Sequence, residues 1–199
     1  MMWSRINAGL LAVGLAVGLA ASGSAQTGQE STGGEVWVSP TRPIAGGRAP
    51  GVKVELLGVN GQQKTYAVIF SSGDEVLSGL IDFAREYKVT SAHFTAIGAL
   101  SGAELGWYNP ERKMYRLNSI ASQVEVASMM GDIALYKGNP LIHTHMVVSL
   151  PDGTTRAGHV LSAHVSPTRE VMVTVEPNAM RRRFHDELGF TLIDPGAQE

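Results

Sequence analysis

A single change of period constrains this chain more than any other feature. Val76, Leu77, Leu80, Ile81 and Ala84 recur at helical spacing, so they share one buried stripe. Ser72 is the expected N-cap of that helix, Asp74 and Glu75 are expected in its first turn, and its end is expected near Tyr87 or Lys88. Beyond it the pattern alternates. Strands are predicted at His93–Gly98, Ala103–Tyr108, Val124–Met129, Ile133–Tyr136, Leu141–Leu150, Arg156–Val165 and Val171–Val175. Upstream, Val52–Val59 and Lys64–Phe70 flank Asn60-Gly61, a strong hairpin signal. One long helix beside many strands predicts an α+β fold: a single compact domain with a mostly antiparallel mixed sheet and one main helix packed on it.

The ends read differently from this middle. Arg5 followed by an apolar, glycine-rich run from Ala8 to Ala21, then Ser22-Gly23-Ser24-Ala25, has the order of a secretion signal, cleaved after Ala25. The run is shorter than the roughly 20 residues of a spanning helix, so cleavage ranks above anchoring. Residues 26–50 are rich in Gly, Ser, Thr and Pro and read as a flexible linker. The folded domain is expected over 51–177. Residues 178–199 are expected to form a short helix and tail, with Met180, Phe184 and Leu188 on one face and Arg181 to Arg183 on a solvated one.

Composition removes several function classes. With no cysteine, disulfides, thiolate catalysis, cysteine zinc sites and lipoprotein acylation are all excluded. Loss of Arg5 with the signal would take the formal charge from -2 to -3, which disfavours a polyanion partner. Gly98, Gly102 and Gly106 do not have dinucleotide-loop spacing, and there is no Gly-x-Ser-x-Gly elbow.

Three of the six histidines form the one constellation with chemical promise: His143-Thr144-His145, then His159 beyond the Pro151-Asp152-Gly153 turn. On a strand, His143 and His145 point to one face and Thr144 to the other. His159 comes beside His145 on an antiparallel return only if the connecting loop is odd in length or bulged. A strict two-residue Asp-Gly loop would pair His145 with Val160 instead. Three converging imidazoles would suit a divalent transition metal, zinc first, with a fourth position open. His164 falls out of step with His159, and His93 and His185 have no ligand pattern around them. Glu104, Glu125, Asp132 and Glu170 lie in or beside strands, and any that reached the histidine face could support it.

Four strings, Ser72-Gly73-Asp74-Glu75-Val76-Leu77, Ala96-Ile97-Gly98-Ala99-Leu100-Ser101, Pro140-Leu141-Ile142-His143-Thr144-His145 and Ala157-Gly158-His159-Val160, give the chain from about Val54 to Pro177 its resemblance to the PPC domain family, the plant and prokaryote conserved domain. The resemblance implies a compact α/β fold, a homotrimer and, in prokaryotic members, a metal on three histidines matching His143, His145 and His159. Plant relatives carry AT-hooks and act on AT-rich DNA. This linker has Gly47-Arg48-Ala49-Pro50 in place of the Gly-Arg-Pro core, so nucleic acid ranks last among the expected partners. Gly138 with His143-Thr144-His145 also resembles the first cupin metal motif. The glutamate that should follow is missing from Val148 to Leu150, so cupin ranks below PPC.

The expectation is an exported PPC-like protein, periplasmic or secreted and free of the membrane after signal cleavage. It would hold a divalent metal on His143, His145 and His159. Its role lies between metal-dependent chemistry on a small molecule and ligand binding, with a non-catalytic trimeric module as the alternative and DNA binding third.

Overall fold

A computed structural model describes residues 29–197; the signal sequence expected over 1–25 lies outside them. Among the described residues, eleven strands and one helix follow in the order β1 (Gln29–Thr32), β2 (Glu35–Val38), β3 (Lys53–Asn60), β4 (Gln63–Ser71), α1 (Val76–Glu86), β5 (Ser91–Asn109), β6 (Met114–Ile120), β7 (Val124–Tyr136), β8 (Asn139–Ser149), β9 (Thr155–Val175), β10 (Arg182–His185) and β11 (Phe190–Ile193). No helix among the described residues is long and apolar enough to cross a membrane.

Nine strands form one antiparallel sheet in the order β1-β2-β6-β5-β7-β8-β9-β4-β3, and β5 also pairs with β9. The ladders β5–β7, β7–β8, β8–β9 and β9–β5 therefore close into a ring, which removes the sheet edges there. Strand pairs that the alternation separates are single bent strands. His93–Gly98 and Ala103–Tyr108 both belong to β5, where the ladder with β7 shifts register between Ala96 and Gly98. Arg156–Val165 and Val171–Val175 likewise join as β9. Phe70, Leu80, Phe94, Leu100, Leu105 and Ile133, each at most 1% exposed, fill the core between α1 and the sheet.

The helix starts later than Ser72. Asp74 folds back instead, its carboxylate accepting from the Ser71 N–H (2.8 Å) and the Gly51 N–H (2.9 Å). The N-cap is Glu75, accepting from Ser78 N–H at 2.7 Å, with no acid inside the first turn.

Of the stretch read as a flexible linker, the described residues 29–50 are built into the fold. Trp37 and Val38 are 4% and 1% exposed and pair through β2 with β6. The chain then straps across α1, with the Gly47 N–H donating to Asp82 (2.6 Å) and the Arg48 N–H to Ser78 Oγ (2.8 Å). Composition under-reads such a segment because long-range backbone hydrogen bonds, together with a few apolar side chains such as Trp37 and Val38, hold it.

The helix expected at the C-terminus is also corrected. Residues 182–193 form the β10–β11 hairpin, with Arg182 opposite Ile193. Helical spacing there loses to tertiary partners: Arg182 is buried against Asp132, Arg183 pairs with Asp194, and the Tyr108 hydroxyl donates to Leu188 O at 2.5 Å. Arg182 thus faces the interior and not a solvated helix surface.

Candidate metal centre

His143 and His145 stand two apart on β8, on the face opposite Thr144, which is 2% exposed and donates its hydroxyl to Met130 O at 2.8 Å. The loop between Ser149 and Thr155 runs over residues 150–154, an odd length. It is closed by Leu150 N–H to Thr154 O (2.8 Å) and by the Asp152 carboxylate, which accepts from Thr154 N–H (2.9 Å). That loop sets the register, and His159 lies directly opposite His145. The condition placed on this turn by the sequence is met.

The three rings form a nearly equilateral triangle, with centroids 5.2, 5.2 and 5.4 Å apart. One ligand nitrogen from each lies within 4.8 Å of the others. Zinc–imidazole bonds of about 2.0–2.1 Å need nitrogens roughly 3.4 Å apart, a contraction that small side-chain rotations supply. The His159 ring stacks on Tyr115 at 4.5 Å and 7°, and its buried Nδ1 has no hydrogen-bond partner. A buried nitrogen left unpaired is costly unless something binds it. Burial, then the charges of His143, His145 and Arg182, push the His159 pKa down to about 3. Burial and His143 also lower that of His145. Both rings therefore stay neutral with a lone pair available at ordinary pH, as metal ligation requires.

Of the four acids weighed from sequence, Asp132 is the one facing the histidines. It pairs with His143 across the β7–β8 ladder, its Oδ2 3.7 Å from His143 Nδ1, while Arg182 grips its Oδ1 at 2.5 Å. Burial pushes the Asp132 carboxyl up, but His143 and Arg182 outweigh it and hold the pKa below the usual carboxylate value. The 3.7 Å separation is longer than a hydrogen bond, and a small approach would let the carboxylate accept from Nδ1–H and leave Nε2 for a metal. The two-residue Lys137-Gly138 turn carries the signal for this pairing. Both residues have positive φ (49° and 72°), and Tyr136 opposite Asn139 puts Asp132 opposite His143.

The other sequence candidates stand elsewhere. Glu104 faces Arg42 at 3.9 Å, and Glu170 pairs with Ile97 on the outer wall. His93 approaches Glu176 (3.8 Å), His185 approaches Glu187 (2.9 Å), and His164 is exposed on β9. Tyr115 and Arg182, which shape the site, escape the sequence reading because β6 and the C-terminal hairpin do. A cavity of about 320 Å³ adjoins the triangle and is lined in part by His143, His159, Tyr115 and Arg182.

Residues 58–176 match the Plants and Prokaryotes Conserved (PCC) domain, the family called PPC above, over more than half of the chain. The chain belongs to the PCC domain family. Its fold agrees with solved members of that kind. A candidate DNA-binding protein from Bacteroides thetaiotaomicron is 25% identical, with TM-score 0.66, over 72% of this chain and 97% of its own. A candidate DNA-binding protein from Ralstonia eutropha is 33% identical, with TM-score 0.61, over 65% and 90%. A protein from Archaeoglobus fulgidus described as metal-containing is 26% identical, with TM-score 0.61, over 71% and 96%. No curated protein matches the chain. The PCC domain here is thus a mostly antiparallel fold with a three-histidine group able to hold a metal ion.

Proposed function

We propose that this PCC domain is an exported homotrimer holding a divalent metal, zinc first, on His143, His145 and His159, and that it acts there on a small molecule in the adjoining cavity. The observation that carries the reading is the nearly equilateral set of three imidazoles, one of which, His159, has a buried and unpaired Nδ1, with Asp132 beside His143. The metal-containing Archaeoglobus relative agrees with it. A divalent ion held by these three imidazoles would supply Lewis acidity toward a bound small molecule. The chain's own part is to orient and to shield: Asp132 stands beside His143, placed to orient its ring, and Tyr115 covers one face of His159. Export rests on the leader over residues 1–25, which points to a periplasmic or secreted protein.

A non-catalytic trimeric module has one observation in its favour. Ile97, Met130 and Met172 are 59%, 60% and 41% exposed on the outer wall of the ring, and Met130 lies opposite His145. Such an apolar patch marks an association surface. DNA binding, suggested by the names of two structural relatives, sits poorly with a formal charge of -2.

Zinc titration of chelator-treated protein, followed by light scattering, separates these readings. Tight uptake that His145→Ala abolishes while the trimer persists supports the metal-centred role. Loss of the trimer with the metal would make the ion a brace, and salt-sensitive DNA retention would favour the third reading.

A further inference from the structure

The cavity beside the histidines has a composition unlike the rest of the molecule. Arg42, Arg48, Arg85 and Arg182 line it, and no aspartate or glutamate does. Each arginine has a carboxylate near it that stands outside the lining: Glu104 for Arg42, Glu75 for Arg48, Asp82 for Arg85 and Asp132 for Arg182. The contacts of Arg42 and Arg85 are long, 3.9 Å each, beyond hydrogen-bond reach. Their side chains are 42% and 54% exposed, so both keep N–H groups free for a ligand. Arg48 and Arg182 are compensated by close carboxylates at 3.2 and 2.5 Å, which leaves Arg42 and Arg85 as the least compensated cations of the cavity.

Part of the remaining wall is apolar, with Ile44, Leu77, Ile81, Leu141 and Phe190 facing the same space of about 320 Å³. That size admits a small molecule, and the wall rewards one with a hydrocarbon or aromatic body. The planar guanidinium fork matches a carboxylate. We propose that this cavity binds a small organic carboxylate, with its anionic head on the exposed arginines Arg42 and Arg85 and its apolar body against the α1 side of the cavity. This deepens the reading above by naming the ligand class of the cavity, but it needs only the arginines and the apolar wall.

The test is calorimetric titration of the full chain with benzoate, benzamide and inorganic phosphate, in chelator-treated and zinc-loaded form. Expected is saturable benzoate binding in both forms, at least about tenfold tighter than benzamide or phosphate. The Arg42→Gln/Arg85→Gln double variant should lose at least about tenfold in benzoate affinity with its thermal midpoint unchanged. The corresponding Lys pair, which keeps charge without the fork, should fall between. Absence of saturable benzoate binding overturns the proposal. So does phosphate binding as tight as benzoate, or undiminished affinity in the Gln variant. Benzoate binding that needs zinc and ignores the arginines overturns it while leaving the metal reading standing. Intact benzoate binding in a protein that takes up no zinc overturns the metal reading alone.

Discussion

The Asp132 carboxylate stands 3.7 Å from Nδ1 of His143, directly across the β7–β8 ladder, and it is the acid that can hold that imidazole's orientation. Replacing it with Asn should weaken zinc binding by about 10- to 100-fold, the usual effect of losing a supporting carboxylate. The change also strips Arg182, whose side chain is 2% exposed, of its anion. A stability loss of about 1–3 kcal/mol should accompany it. The two effects separate in the Asp132→Asn/Arg182→Met double variant, which should recover stability in urea unfolding without recovering zinc affinity. Full recovery of both would show that Asp132 acts only as a structural partner of Arg182.

Close approach of β7 to β8 makes a second prediction. A Cβ on Gly131 would run into the His143 carbonyl oxygen and come within 2.6 Å of both Phe94 Cζ and Thr144 Cβ. The carbonyl oxygen is β8 backbone at His143 itself and the Thr144 Cβ is fixed to the next residue of that strand, so neither can move independently of the site. Gly131→Ala should cost about 1–3 kcal/mol of stability by overpacking and lower zinc affinity with it. Unchanged stability by urea unfolding would mean the ladder is looser than these contacts require.

Acid should destabilise the metal-free protein earlier than it protonates carboxylates. The folded pKa of His159 is held near 3, below its ordinary value of 6.5. The unfolded chain therefore binds the extra proton first, and stability falls as pH drops below about 6.5, continuing toward 3. From pH 7.5 to 5.5 the expected loss is about 1.4 kcal/mol from His159 alone. His145, also lowered, adds in the same direction. The lowered pKa of Asp132 acts in a separate and more acidic window, its contribution lost as pH falls through the folded value. Urea midpoints of chelator-treated protein at the two pH values check this, and His159→Gln should flatten the difference.

Legibility from sequence followed local regularity. The helix stripe and the alternating runs were readable because period depends on neighbours along the chain, and the Asn60-Gly61 hairpin appears as β3–β4 with Asn60 opposite Gln63. β6 was missed because Met114-Tyr115-Arg116-Leu117-Asn118-Ser119-Ile120 alternates weakly, its pairing with β5 and β2 being decided in three dimensions. The strap over 39–50 and the C-terminal hairpin were misread for a related reason: their partners, Asp82, Ser78 and Asp132, lie far away in the sequence. At the site, the histidine triangle could be stated as a condition on one loop. The choice of Asp132 was within reach through the Lys137-Gly138 turn, whereas Tyr115 and the arginine-lined cavity were not, because they depend on elements that sequence did not reveal.

If His143, His145 and His159 form a metal centre, elemental analysis of the purified protein beside a His143→Ala/His145→Ala variant should find about one divalent metal per chain in the wild type, zinc foremost, and almost none in the variant, with the fold of both intact. A wild-type protein that carries no metal even after dialysis against zinc, or a variant that retains it, would rule the three histidines out as a metal centre.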